Sequence, residues 1–322
     1  MAGNGGLLKH APNVSGCALA FEALLADVGL PDGLFRTLLV DEGTVGVTTA
    51  RLLADPRIAA VTITGSDRAG AHVAAAAGRA LKKSVLELGG SDPFLVLADA
   101  DLPAVAAQAA RSRFLNSGQS CLAAKRFVVE EAVADEFEAR FVEAVEALVV
   151  GNPLDPATQV GPLARADLVD GLDRQVRESV ARGARVLTGG RRLGDHGCFY
   201  APTVLAGVGP GMPAYDEETF PVAAVIRTSD EQQAVRVATT PPTASAPRSG
   251  PGTPDGACGW PGRSSPAPSS STPWSPPTRG CPLAGSSAAA TDGSWPPPGS
   301  GSSPTCAPGG SAAPPPPPPA PP

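Results

Sequence analysis

Two reactive side chains and a pair of glycines stand close in the order of this chain. Glu87 precedes Leu88-Gly89-Gly90, and Cys121 follows Glu87 by 34 positions, at the end of the polar turn Asn116-Ser117-Gly118-Gln119-Ser120. A thiolate adds readily to a carbonyl carbon and leaves again from the thioester that results, which makes Cys121 a candidate nucleophile. A lone cysteine is more often a buried packing residue, but a polar, Gly-containing turn argues against burial here. Hydrolysis of a thioester needs an activated water, and Glu87 is a candidate base if an apolar wall raises its affinity for protons. Taken alone, Glu87 reads better as a solvent-facing carboxylate at a strand end. The backbone N–H of Cys121 is a candidate donor to the developing oxyanion. Glycines at 89 and 90 let the backbone approach a ligand closely.

Gly65-Ser66 falls between a strand pattern over Ile58–Thr64 and an Ala-rich helix over Asp67–Leu81. Ligands of open α/β sheets bind at such carboxyl ends, and a helix N-terminus favours phosphate. There is no G-x-G-x-x-G, and Ser66 as a simple helix cap explains the pattern as well.

The wording of Lys9–Val14, Ser84–Phe94 and Asn116–Cys121, in this order and at this separation, resembles the aldehyde dehydrogenase superfamily. It looks most like the bacterial succinate-semialdehyde dehydrogenases. The resemblance implies Cys121 as nucleophile and Glu87 as base. It also implies Gly65 and Ser66 beside a cofactor pyrophosphate, and Lys9 on the adenine ribose. Glu218 and Phe220 match residues that hold the nicotinamide ribose and ring. NAD-preferring members often carry a Glu where this chain has Pro12. A carboxylate there would repel a 2′-phosphate, so the resemblance implies NADP or NAD with a lean to NADP. The family normally has a Gly between the matching Phe and Pro, whereas here Phe220 abuts Pro221. Its second oxyanion donor, an Asn of an aromatic-Asn-Phe-Pro motif, has no counterpart, because Met1-Ala2-Gly3-Asn4 matches the middle of the family's coenzyme domain. The expected reaction is oxidation of a small aldehyde, succinate semialdehyde above all, through a thiohemiacetal and a thioester. Family members are homo-oligomers, but the hairpin and last strand that pair subunits are expected to be missing here, and activity impaired. Two alternatives from other classes are a nucleotide-binding remnant without catalysis and a cofactor-independent thiol esterase. No nearby His suggests a Cys–His pair for the latter.

The elements that must carry these residues alternate. Strands are expected at the end of the segment before Lys9, over Leu34–Val40, over Ile58–Thr64 and over Ser84–Leu88. Helices are expected up to about Val28, over Val45–Ala54 and over Asp67–Leu81. Gly29 is expected to cap the first helix, and Pro31-Asp32-Gly33 to turn the chain. Such alternation implies a parallel sheet with crossover helices. Farther on come strands over Pro93–Ala98, Lys125–Val129, Ala184–Leu187, Phe199–Leu205 and Val222–Ile226. Helices lie between them over Asp101–Arg113, Val133–Leu148 and Leu168–Ala181. Arg113 is expected either as a solvated helix-end cap or as a partner for a substrate carboxylate. The fold class is therefore α/β: a partial Rossmann-like coenzyme domain (1–87), an α/β catalytic domain (88–238), and a tail (239–322).

Net charge is −6 over 322 residues, with no basic stripe to favour nucleic acid. No apolar run is long enough to span a bilayer, so no membrane partner is expected. Six scattered cysteines fit neither a zinc site nor a disulfide framework. This implies no metal and a reducing, cytoplasmic setting, with Cys17 and Cys198 as packing residues. Val14–Ala26 is no signal peptide, since Glu22 interrupts it, and Ala18, Phe21, Leu24 and Leu25 suit an amphipathic helix. Beyond residue 240 the chain has no Lys, Glu, Ile, Phe, Tyr or His, and it consists mainly of Pro, Gly, Ser and Ala. Such a composition buries too little apolar surface to offset chain entropy and predicts disorder. Its origin is legible as well. A family-like Ala-Asn-Asp-Thr-Pro-Tyr-Gly-Leu-Gly in GC-rich codons, with one base deleted in the Asn codon, reads as Ala238 to Ala246. Residues 239 onward are thus expected to be a frameshift product, with a Pro-rich interaction tail as the alternative.

Overall fold

A computed structural model describes residues 4–194 and 197–240. The tail with its expected disorder and frameshift lies outside the described residues, apart from its first two positions.

The first part of the chain alternates as its pattern predicts. It runs β1 (Gly6–Leu8), α1 (Ser15–Asp27), β2 (Phe35–Thr37), α2 (Val45–Ala54), β3 (Ala60–Thr64), α3 (Asp67–Arg79) and β4 (Lys83–Glu87). Gly29 ends α1 at φ +82°, and the N–H of Leu30 reaches back to the carbonyl of Leu25. This is the left-handed helix stop that glycine adopts without strain. β1 pairs with β2 and β3 with β4, both parallel. One expectation is corrected here: the strands form two separate two-stranded ladders instead of one sheet. Among the described residues no strand bridges the pairs. Of the described residues before position 88, only Ala18, Leu53 and Ala77 are buried apolar residues.

α1 forms, but its expected apolar face is only partly covered. Ala18 is buried, while Phe21 and Leu24 stay 47% and 55% exposed. The helix docks on β2 through an edge-to-face contact of Phe21 with Phe35, ring centroids 5.4 Å apart, and through polar groups. The Thr37 N–H donates to Glu22 at 2.7 Å, and the Thr37 hydroxyl donates to the Ala18 carbonyl. Cys17 is exposed, contrary to its expected packing role.

The second part has a thick core. It comprises β5 (Asp92–Val96), α4 (Leu102–Phe114), β6 (Ala124–Glu130), α5 (Glu131–Glu146), α6 (Ala166–Ala181), β7 (Arg185–Thr188), β8 (Thr203–Ala206), α7 (Pro213–Asp216), β9 (Val222–Thr228) and α8 (Glu231–Thr239). The strands form one sheet in the order β5-β6-β9-β8-β7, parallel except for the β7–β8 pair. β6 and β9 are central and buried on both faces, as parallel strands under helices must be. Alternation assigns each residue to a face. Phe127 and Val129 join Phe94, Phe137 and Phe141 under α4 and α5, whereas Val128 joins Val169, Leu172 and Val176 of α6. Cys198 packs against this second cluster, as expected. No helix among the described residues is long and apolar enough to cross a membrane.

Candidate active site

Cys121 sits just ahead of β6, at the end of the turn that follows α4. The turn is bent sharply: Asn116, Ser117 and Gly118 have φ of 54°, 55° and 71°. In the left-handed region Ser117 costs about 1–2 kcal/mol, and Asn116, which adopts it more readily, less; such a conformation holds only where the surroundings impose it. Those surroundings are identifiable. The Ser117 hydroxyl donates to the Gly161 carbonyl at 3.0 Å, and the Ala164 N–H donates to the Gln119 side chain at 2.9 Å. Gly118 is pressed against Pro221. The result is an exposed Cys121 on a backbone held from both sides.

Two buried cations do much of the holding. Arg113, at the end of α4, is fully buried and donates to the carbonyls of Ala124 (3.4 Å), Gly118 (3.5 Å) and Thr219 (2.8 Å). Burial pushes its pKa down to about 9, so the guanidinium is still charged at neutral pH, countered in part by Glu218. Both expectations for Arg113 are corrected by this burial. It is neither a solvated cap nor exposed to a substrate carboxylate; it ties the thiol turn to the Glu218–Thr219 segment. The sequence signal was its place at the end of an apolar helix face, where i−4 and i−3 neighbours Ala109 and Ala110 are themselves buried.

Lys125 was not singled out by its sequence context. It lies in β6, 1% exposed, with Nζ 3.2 Å from the Cys121 carbonyl, 3.3 Å from that of Ser120 and 3.4 Å from Glu218 Oε1. Burial lowers its pKa and Glu218 opposes that shift. The same Glu218 oxygen accepts from the Gly90 N–H at 3.4 Å. A Cβ on Gly89 would overlap the Glu218 carboxylate, which explains a glycine there. The loop that follows Glu87 and the turn that carries Cys121 are therefore joined through one carboxylate and one ammonium.

Glu87 is the last residue of β4, with its side chain exposed, and its carbonyl accepts from the Gly65 N–H at 2.9 Å. The candidate base and the Gly65-Ser66 turn thus share one edge, the carboxyl ends of β3 and β4. Ser66 caps α3, accepting from the Ala69 N–H at 3.3 Å. Ser66 and Glu218 also line one cavity of about 990 Å³, together with Arg68, Arg174 and Glu217. Lys9 is half-buried, just beyond β1. Phe220 is half-buried and leans on the α6-side core, while the following Pro221 carbonyl accepts from Thr203. No cluster of side chains suited to hold a metal occurs among the described residues.

Residues 1–245 match the model of the aldehyde dehydrogenase family. The chain belongs to this family. A succinate semialdehyde dehydrogenase of Escherichia coli K12, named for NAD(P)+, is 51% identical over 239 residues, which are 74% of this chain and 51% of the relative. A succinate-semialdehyde dehydrogenase of Mycobacterium tuberculosis H37Rv, named for NADP+, is 49% identical over the same length and shares. The solved succinic semialdehyde dehydrogenase of Streptococcus pyogenes, in complex with NADP+, superposes with a TM-score of 0.69 at 34% identity. That superposition covers 73% of this chain and 51% of the solved one. The chain spans about half the length of the curated relatives it matches.

Proposed function

We propose that this chain carries the thiol site and part of the coenzyme site of an enzyme that oxidises succinate semialdehyde, with NADP favoured over NAD. The observation that carries the reading is the exposed Cys121 on a strained, braced turn, linked through Lys125 and Glu218 to the loop after Glu87. The same chemistry is named for the half-identical relatives.

The residues present suit a pyridine dinucleotide. Ser66 and the first amides of α3 suit a pyrophosphate. Glu218, with 31% of its side chain exposed beside the same cavity, suits ribose hydroxyls. Gly65 allows close approach, Lys9 is assigned to the adenine ribose and Phe220 to the nicotinamide side. The nicotinamide, when bound, supplies a hydride acceptor.

The thiolate of Cys121 forms a bond to the aldehyde carbon, and the carbonyl oxygen gains the negative charge. The Cys121 N–H donates to that oxyanion. Loss of hydride from the thiohemiacetal restores the C=O bond and leaves a thioester on Cys121. Glu87 takes a proton from water, the resulting hydroxide attacks the thioester carbon, and the thiolate leaves with the acid as product. Turnover by this chain alone is slow in this reading, because residues 4–87 bury three apolar side chains only and form two open ladders.

The test is NADPH formation from succinate semialdehyde by the full chain, with Cys121→Ala and Glu87→Gln beside it. Cys121→Ala is expected to abolish turnover. Glu87→Gln is expected to lower kcat by about 10²- to 10⁴-fold, with thioester accumulating on Cys121 by mass spectrometry. Unchanged turnover in Cys121→Ala rejects the reading. Nucleotide binding without any turnover, identical in wild type and Cys121→Ala, identifies a binding remnant instead.

A further inference from the structure

We infer that Lys125 is a positioning residue that couples the Glu218 carboxylate to the thiol of Cys121, so that the charge state and occupancy of Glu218 set the reactivity of the thiol. The inference rests on the site proposed above and adds a residue that the proposed chemistry does not use.

An ammonium has three protons to donate. Here it has three acceptors, drawn from two segments that are distant in sequence: the carbonyls of Ser120 and Cys121, and Glu218 Oε1. At 1% exposure it has no water to fall back on, so each acceptor it loses must be replaced by another. Glu218 differs. It is partly exposed and lines a cavity large enough for a ligand.

The charges facing Lys125 can be named. Glu218 and Asp92 favour its protonated form, and Arg113 opposes it. Asp92 is itself pushed towards its neutral form by burial. Glu218 is therefore the principal counter-charge. While Glu218 pairs with Lys125, only part of the ammonium charge acts on the thiol turn. When hydrogen-bond donors of a ligand draw on the Glu218 carboxylate, more of the Lys125 charge is left to act on the backbone of residues 120–121 and on the thiol beyond it. A nearby cation lowers a thiol pKa and raises the thiolate fraction. Occupancy of the ribose position thus prepares the nucleophile.

The prediction has opposite signs at the two residues, which a merely structural role does not produce. The experiment measures alkylation of Cys121 in the full chain by iodoacetamide at neutral pH, read at the Cys121 peptide by mass spectrometry. Lys125→Met is expected to slow it about three- to tenfold, and Glu218→Gln to speed it by a similar factor. In the double variant the rate is expected to equal that of Lys125→Met, because Glu218 acts through Lys125. If Lys125→Met does not fold, Glu218→Gln decides alone: faster alkylation supports the coupling, and an unchanged or slower rate overturns it. Effects of equal sign, or additive ones, overturn it as well. NADP protection of Cys121 in the unmodified chain tests the proposed site separately. Opposite-signed effects without protection support the coupling and count against the cofactor reading. Protection without those effects overturns the coupling and leaves the site.

Discussion

Gly118 concentrates the demands on the thiol turn. It holds φ +71°, and a Cβ built on it lies 2.8 Å from the Pro221 nitrogen and 3.2 Å from Arg113 Nη2. Those neighbours are backbone and a fully buried guanidinium, so neither yields. Gly118→Ala is expected to destabilise the chain by about 3 kcal/mol, combining left-handed strain with overpacking, measured by urea unfolding. A loss below about 1 kcal/mol, the level of an ordinary surface change, contradicts this account. Gly89 provides the contrast. The atom a Cβ would meet there is the end of the flexible Glu218 side chain, so the fold tolerates the change and the carboxylate moves. Residue type and its polar turn pointed to Cys121, and the family resemblance implied Glu87 and Glu218. Neither singled out Lys125, because a lysine in an apolar strand pattern reads as a surface residue until the strand is known to be central.

Neither the four-residue α7 nor α8 was expected from the sequence, and α8 is the longer of the two. Its pattern is short, and it lies where composition turns to Pro, Gly and Ser. Its caps are nevertheless explicit. Asp230 accepts from the Gln233 N–H at 2.7 Å at the start, and Arg126 meets the end. The Arg126 guanidinium donates to the carbonyls of Val237 (3.1 Å), Ala238 (3.4 Å) and Thr240 (3.2 Å), and its Nε donates to Ser91. A helix C-terminus leaves its last carbonyls without partners and carries partial negative charge, so a buried cation there serves both needs. Arg126→Met leaves four carbonyls without this donor. The expected loss is about 3 kcal/mol, measured by chemical denaturation, with exchange of the α8 amides rising first. If α8 keeps its protection in the variant, Arg126 is not its anchor. β1 to β4 were legible as elements because strand and helix periods alternate plainly, with boundaries displaced by a few residues at most. Their grouping into two ladders was not, since period says nothing about which strand lies beside which.

The whole chain is unevenly stabilised. Central strands β6 and β9 are buried on both faces between two apolar clusters, whereas the ladders of residues 4–87 have three buried apolar residues between them. Local opening free energies range from near zero to the global value according to buried contacts. In hydrogen exchange, amides of β6 and β9 are expected to be slowest, and those of β1 to β4 faster by about two orders of magnitude or more. Uniform protection across both parts is the contrary result. The sequence by itself determined the α/β class, the order of elements and the candidate nucleophile, because periodicity and residue chemistry are local properties; its resemblance to a family implied the base and the nucleotide-contacting positions. Only the tertiary structure decided that Arg113 is buried and bridging, that Cys17 is exposed, that α1 leaves Phe21 and Leu24 half open, and that Lys125 joins the thiol turn to Glu218. Each of these depends on which segments distant in sequence become neighbours, and burial, not residue type, then sets what a charge can do.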